Sequence, residues 1–248
     1  MSQATPAATI QVCILDNDNL DPAVAGTYVS YGVMVERMFD AAGTRWRFER
    51  FNTTRGEYPE DFDAYDVVLL TGSRADSFSD EPWVRTLRER VGELLRERKT
   101  LLGICFGHQL IGLCLGAEVG RAPQGWGMGR MTYDWVGTEP LSVNGQAAAS
   151  SVSLLASHQD QVLTLPAGAT LLARSDFCPI AAYRVDDHVL CVQPHPEFVE
   201  DYSAYLLEKR RAAVGEERYA AGRAGLAQGH DGLDVARFMQ SFVEARRR

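Results

Sequence analysis

The decapeptide L-L-G-I-C-F-G-H-Q-L, Leu101 to Leu110, joins a short apolar run to a helical one through a cysteine set between two glycines. Thr100 to Ile104 has the continuous apolar character of a strand buried on both faces. The helix that starts at once runs to Leu115 and closes at Gly116. In G-x-C-x-G the small residues give the backbone room for a sharp strand-to-helix turn that holds a nucleophile above the sheet edge. The helix beginning at Phe106 brings unsatisfied N–H groups and a positive dipole end to Cys105, which favours an anionic sulfur. The same N–H groups suit a developing oxyanion. In open α/β sheets, chemistry gathers outside the carboxyl ends of the strands, which is where Cys105 falls.

Outward from this turn the first half of the chain alternates strand and helix. Ile10 to Leu15, Trp46 to Phe51 and Asp66 to Thr71 read as strands. Tyr28 to Ala42 and Pro82 to about Arg98 carry apolar residues at helical spacing. D-N-D-N, Asp16 to Asn19, reads as a turn. The second half is richer in strands: Arg130 to Val136, Ser151 to Ser157, Thr170 to Ala173, Ile180 to Val185 and His188 to Gln193. Helices resume after Pro196, with breaks at Gly215 and Gly229 to Gly232. The pattern predicts a mostly parallel central sheet with helices on both faces. No linker, repeat or low-complexity segment divides the chain, so residues 10–248 are expected to form one domain with a helical extension over 206–248. The first nine residues, M-S-Q-A-T-P-A-A-T, read as a disordered lead-in without the features of a signal peptide.

Composition narrows the function classes. Hydrophobic residues make up 46% and charged residues 23% of 248, with a net charge of -8. That acidity argues against nucleic acid or an anionic membrane as partner, and no apolar run reaches the roughly 20 residues of a membrane span. The five cysteines form no C-x-x-C pair, so neither a disulfide framework nor a structural zinc site is expected, and a reducing cytoplasm fits. Lys99 and Lys209 are the two lysines, neither after a glycine, which excludes a Walker A site. Cys13, Cys114 and Cys191 lie on apolar elements and read as inert core. His188 and His230 read as surface residues, and Q-G-W-G-M-G, Gln124 to Gly129, as an irregular loop near the site.

Two other segments join the cysteine turn. Q-P-H-P-E, Gln193 to Glu197, ends the strand H-V-L-C-V. A His and a Glu two apart in extended chain project to one side, so Glu197 is placed to orient an outward-facing His195 as a base. Pro194 and Pro196 restrict the intervening backbone. T-G-S follows the strand Asp66 to Leu70 and offers the N–H of Gly72. Together, G-I-C-F-G-H-Q, Q-P-H-P-E and the T-G-S strand end resemble the class I, triad-type glutamine amidotransferases over roughly 10–205. The resemblance implies a three-layer, flavodoxin-like α/β fold with extra C-terminal helices. It also implies Cys105 as nucleophile, His195 as base, Glu197 as its orienter and Gly72 with Phe106 as oxyanion hole. Gln109 and the S-H-Q-D loop (Ser157, His158, Gln159, Asp160) would hold the amino acid end of glutamine or another γ-glutamyl compound. Neither metal nor organic cofactor is implied. The loop T-G-S-R-A-D-S departs from the G-G-P of many guanylate-synthase amidotransferase domains and is similar to that of stand-alone members, including plant γ-glutamyl peptidases. Three functions stay open: a stand-alone amidotransferase or γ-glutamyl hydrolase, the amidotransferase subunit of a separate synthetase, and a non-catalytic binding module.

Overall fold

The computed structural model describes residues 9–247; apart from Thr9, the expected lead-in lies outside the described residues. The amino-terminal half contains β1 (Gln11–Asp16), α1 (Pro22–Tyr28), α2 (Tyr31–Ala41), β2 (Arg47–Asn52), β3 (Val67–Leu70), α3 (Pro82–Arg96), β4 (Thr100–Ile104) and α4 (Phe106–Cys114). There follow β5 (Val119–Arg121), β6 (Gly127–Trp135), β7 (Ser151–His158), β8 (Asp160–Val162), β9 (Ala169–Arg174), β10 (Ala182–Val185) and β11 (Val189–Val192). The chain then forms α5 (Glu200–Val214), α6 (Glu216–Leu226) and α7 (Gly232–Arg246).

One sheet has the order β2-β1-β3-β4-β11-β10-β9-β6-β7. From β2 through β11 every pairing is parallel, and β10, β9, β6 and β7 continue it antiparallel. The strand period of two assigns each residue to a face. Val12, Ile14, Leu102 and Ile104 pack with Val35, Met38 and Phe39 of α2 and with Val235 and Met239 of α7. Cys13, Leu15, Val68, Leu70 and Leu101 pack with Val84, Leu87 and Val91 of α3 and with Phe106, Leu110 and Ile111 of α4. The helices therefore cover both faces, as the continuous apolar strands require.

Four expectations change in detail. The helix expected from Tyr28 to Ala42 is α2 and begins only at Tyr31, because Val29 turns to φ 66° and the Ser30 side chain caps the helix by accepting from the Val33 N–H. A separate helix that the spacing does not signal, α1, precedes it from Pro22. His188 is buried, only 5% exposed: its carbonyl accepts the Leu101 N–H at 2.7 Å, which draws it against the sheet. His230 is half-buried and accepts a hydrogen bond from the Gly232 N–H. Spacing alone signals neither burial. The Gln124 to Gly129 stretch is a loop only in its first half, since β6 begins at Gly127.

Of the polar residues after β1, Asp16, Asn17 and Asp18 are buried rather than a solvated turn. Asn17 donates from its backbone to the Thr71 hydroxyl (2.9 Å) and from its side chain to the Thr71 carbonyl (3.1 Å). Asp18 takes the Arg74 backbone N–H at 2.8 Å and its guanidinium at 3.0–3.1 Å. Two adjacent strand ends are thus tied by buried hydrogen bonds, which fixes the loop that follows β3.

Candidate active site

Why the sequence places two glycines around Cys105 is answered by distance. A Cβ on Gly103 would lie 2.8 Å from the Gly107 carbonyl carbon, and one on Gly107 would lie 2.5 Å from the Leu70 carbonyl oxygen. Both are well inside van der Waals contact, so α4 rests backbone-on-backbone over β4 and β3. Cys105 itself takes φ 53°, ψ -100° as the N-cap of α4, a conformation that costs an L-residue about 1–3 kcal/mol. The turn is held by Cys105 N–H to the Val192 carbonyl (2.9 Å) and Gln109 N–H to the Cys105 carbonyl (3.0 Å).

His195 and Glu197 follow β11, the neighbour of β4. His195 Nδ1 lies 2.8 Å from Glu197 Oε1, and the carboxylate is fully buried. His195 does not face outward as expected: it is 3% exposed, with its ring stacked on Phe198 at 3.8 Å between centroids and 11° between planes. Its backbone N–H donates to the Leu155 carbonyl of β7 at 2.8 Å. Burial pulls the His195 pKa down, but the Glu197 carboxylate and the Cys105 sulfur outweigh it and raise the value well above the usual histidine range. Two other buried histidines go the opposite way. Burial lowers His108 and His158 to about 3, with the neighbouring His158 adding to the first and His195 to the second. Of these three, only His195 is shifted toward its protonated form.

Gly72 lies against both groups. A Cβ there would come 2.8 Å from His195 Cε1 and 3.7 Å from Cys105 Cβ. Phe106 is the first residue of α4, where a helix leaves its N–H groups without intrahelical acceptors. Burial disfavours the thiolate at Cys13, Cys114, Cys178 and Cys191, pushing Cys114 to about 11, Cys178 and Cys191 to about 12, and Cys13 higher still.

The remaining expected residues gather around the same cleft. Gln109, Ser157, His158, Gln159 and Asp160 line it together with Cys105. Gln109 reaches it on α4; Ser157 to Asp160 reach it because β6 meets β9 only at Asp134 and Trp135, so the β6–β7 ribbon diverges from the sheet and Leu155 of β7 bridges to His195 beyond the end of β11. The Gln109 side-chain amide is already engaged, donating to the Asp160 carbonyl (2.9 Å) and to Gln193 Oε1 (3.2 Å). Gln193 in turn donates to Cys105 Sγ at 3.6 Å. Asp160 pairs with Arg121 at 2.7 Å, and Arg121 also meets Asp76 at 3.0 Å. Sequence reasoning missed Gln193, Phe198, Arg74, Arg121 and Arg210. The first two adjoin the H-P-E motif and could have been noted from it. The arginines carry no local signal.

The chain matches the family model described as glutamine amidotransferase class-I over residues 24–210. It belongs to the class I glutamine amidotransferases. It is accordingly an enzyme of amide-bond chemistry. Gamma-glutamyl peptidase 3 of Arabidopsis thaliana is 35% identical over 192 residues, 75% of this chain and 76% of that protein. A glutamine-hydrolyzing GMP synthase subunit of Pyrococcus furiosus is 36% identical over 120 residues, 47% of this chain and 61% of the other. The crystal structure of a glutamine amidotransferase from Thermotoga maritima superposes with a TM-score of 0.73 at 20% identity, covering 96% of this chain and 98% of that one. No helix among the described residues is long and apolar enough to cross a membrane.

Proposed function

We propose that the chain is a γ-glutamyl hydrolase that works without a second protein, with Cys105 as nucleophile, His195 as acid and base, and Glu197 as the group that orients and charges the imidazole. The observation that carries the reading is the cysteine at φ 53° on a helix N-terminus, beside a buried His195–Glu197 pair at 2.8 Å. In the first step the Cys105 thiolate forms a C–S bond to the γ-carbonyl carbon, and the oxyanion turns toward the N–H groups of Gly72 and Phe106. The C–N bond then breaks as His195 gives its proton to the departing nitrogen. In the second step His195 takes a proton from water, hydroxide attacks the γ-glutamyl thioester, and the thiolate leaves with glutamate as product. Asp160 and the rest of the S-H-Q-D loop would hold the α-ammonium and α-carboxylate of the glutamyl group. The free cysteines fit a reducing compartment such as the cytoplasm.

Similarity to the Arabidopsis peptidases over three quarters of the chain favours this reading. Similarity to the Pyrococcus protein keeps a second one: an amidotransferase chain that supplies ammonia to a separate synthetase. Steady-state release of glutamate by the purified protein from glutamine, γ-glutamyl peptides and γ-glutamyl amines separates them. Hydrolysis of a γ-glutamyl peptide without a partner, reduced by several orders of magnitude in Cys105→Ala, is the expected result. Background rates throughout, with Cys105 still labelled by a glutamine-directed electrophile, would favour the synthetase-partnered chain.

A further inference from the structure

Hydrolysis of glutamine releases ammonia, which needs no binding site of its own; hydrolysis of a γ-glutamyl peptide releases a bulky amine. Its departing half must lie beside His195, which protonates it. A second cavity adjoins the cleft on that side. Tyr31 lines it, stacks on Phe198 at 5.8 Å and has its ring centroid 6.3 Å from that of His195. Tyr202 and Tyr205 add aromatic wall. Arg74 and Arg210 line both this cavity and the cleft that contains Cys105, so the two spaces share a border.

Charges in the second cavity are unevenly matched. Arg74 is paired with Asp18, and Lys209 with Asp21. Arg210 has no carboxylate partner among the described residues. Its Nη1 donates to the Ser157 hydroxyl at 2.8 Å, and its guanidinium lies 5.0 Å from the centre of the Trp126 ring. A guanidinium carries five N–H donors in a planar fork suited to a carboxylate. Here it is held in place by an aromatic face and a hydroxyl, neither of which neutralises it.

Resting on the hydrolase reading, we propose that this cavity is the leaving-group subsite and that Arg210 binds a carboxylate carried by the departing half of a γ-glutamyl peptide. The substrate class is then γ-glutamyl peptides with a free C-terminal carboxylate, in preference to glutamine and neutral γ-glutamyl amines. The glutamyl α-carboxylate is the other source of the same chemistry, and it differs in consequence. It is common to every substrate, so a guanidinium bound to it would not discriminate between departing groups.

The test compares γ-glutamyl-alanyl-glycine with its C-terminal amide. Wild-type protein should prefer the acid by about tenfold or more in kcat/KM, the scale of one charge-assisted hydrogen-bonded pair. Arg210→Gln should bring the acid-to-amide ratio to about one, and Arg210→Lys should restore part of it. A wild-type enzyme indifferent to the amide, or an Arg210→Gln variant slowed on both peptides with the ratio retained, would overturn the assignment. The same pair of peptides titrated calorimetrically into Cys105→Ala gives a readout independent of turnover. Acid-selective binding that Arg210→Gln abolishes, in a protein whose wild type hydrolyses neither peptide, would sink the hydrolase reading and keep the subsite. Equal binding of acid and amide alongside brisk wild-type hydrolysis of both would do the reverse.

Discussion

Among single residues, the site depends on where a side chain is absent as much as on where one is present. Gly72 has no conformational reason to be glycine; it is small because the His195 ring occupies the space where a Cβ would sit, at 2.8 Å. Gly72→Ala should displace His195 from Cys105 by a few tenths of an ångström or more. A misplacement of about 1 Å commonly costs about a hundredfold in rate. We expect kcat to fall on that scale, because the loop after β3 is held by buried hydrogen bonds and the imidazole is the group that must move. Wild-type kcat in Gly72→Ala would show that the imidazole tolerates movement and that Gly72 does not set its position. His195 also shows how environment overrides residue type. Three histidines are buried to a similar degree, and only the one with a carboxylate at 2.8 Å is raised rather than lowered in pKa.

One level up, among helices and strands, the contact between α4 and the sheet is what lifts Cys105 to the edge. An alanine at Gly107 would push its methyl group into the Leu70 carbonyl at 2.5 Å, and a backbone atom in a central strand cannot move aside as a flexible side chain could. Gly107→Ala should therefore destabilise the fold by at least about 1–3 kcal/mol. For a chain of this size that lowers the thermal midpoint by several degrees. An unchanged midpoint by calorimetry would mean that α4 can slide along the sheet freely. The loop after β3 is secured in another way, by the Arg74 pair with a carboxylate only 8% exposed and already bonded to backbone. Exposed pairs such as Arg98 with Asp186 and Asp187 are screened by solvent and have no comparable structural consequence.

Across the whole molecule, the site is assembled from segments far apart in the chain: Gly72 after β3, Cys105 after β4, Ser157 to Asp160 at the end of β7 and the start of β8, and His195 after β11. Asp160 enters it as the first residue of β8, directly after the β6–β7 ribbon. Burial raises its carboxyl to about 6, Arg121 opposes the rise and Asp76 adds to it. In the folded chain the proton is held more tightly than in the unfolded one. The associated stability is therefore present below about pH 3.8 and lost as pH rises through about 6. On the proposed reading Asp160 holds the substrate ammonium, which only its ionised form would accept, so activity should run the other way. We expect kcat/KM to climb with pH through about 6 and Asp160→Asn to remove that limb; a limb unmoved by the substitution belongs to another group. Much of this architecture is legible in local sequence: the parallel half of the sheet, the cysteine turn and the adjacency of His195 to Glu197. Each is encoded by neighbours within a few residues, as continuous apolar strands, glycines around a strained turn, and a two-residue spacing in extended chain. Folding alone buries His195 against Phe198, turns Asn17 and Asp18 of D-N-D-N into an interior clamp on the loop after β3, and brings Gln193, Arg74, Arg121 and Arg210 to the border of the cleft. Those contacts join strand ends and helices far apart in the chain. They are set by how the sheet diverges and how α5 packs, and no local pattern records them.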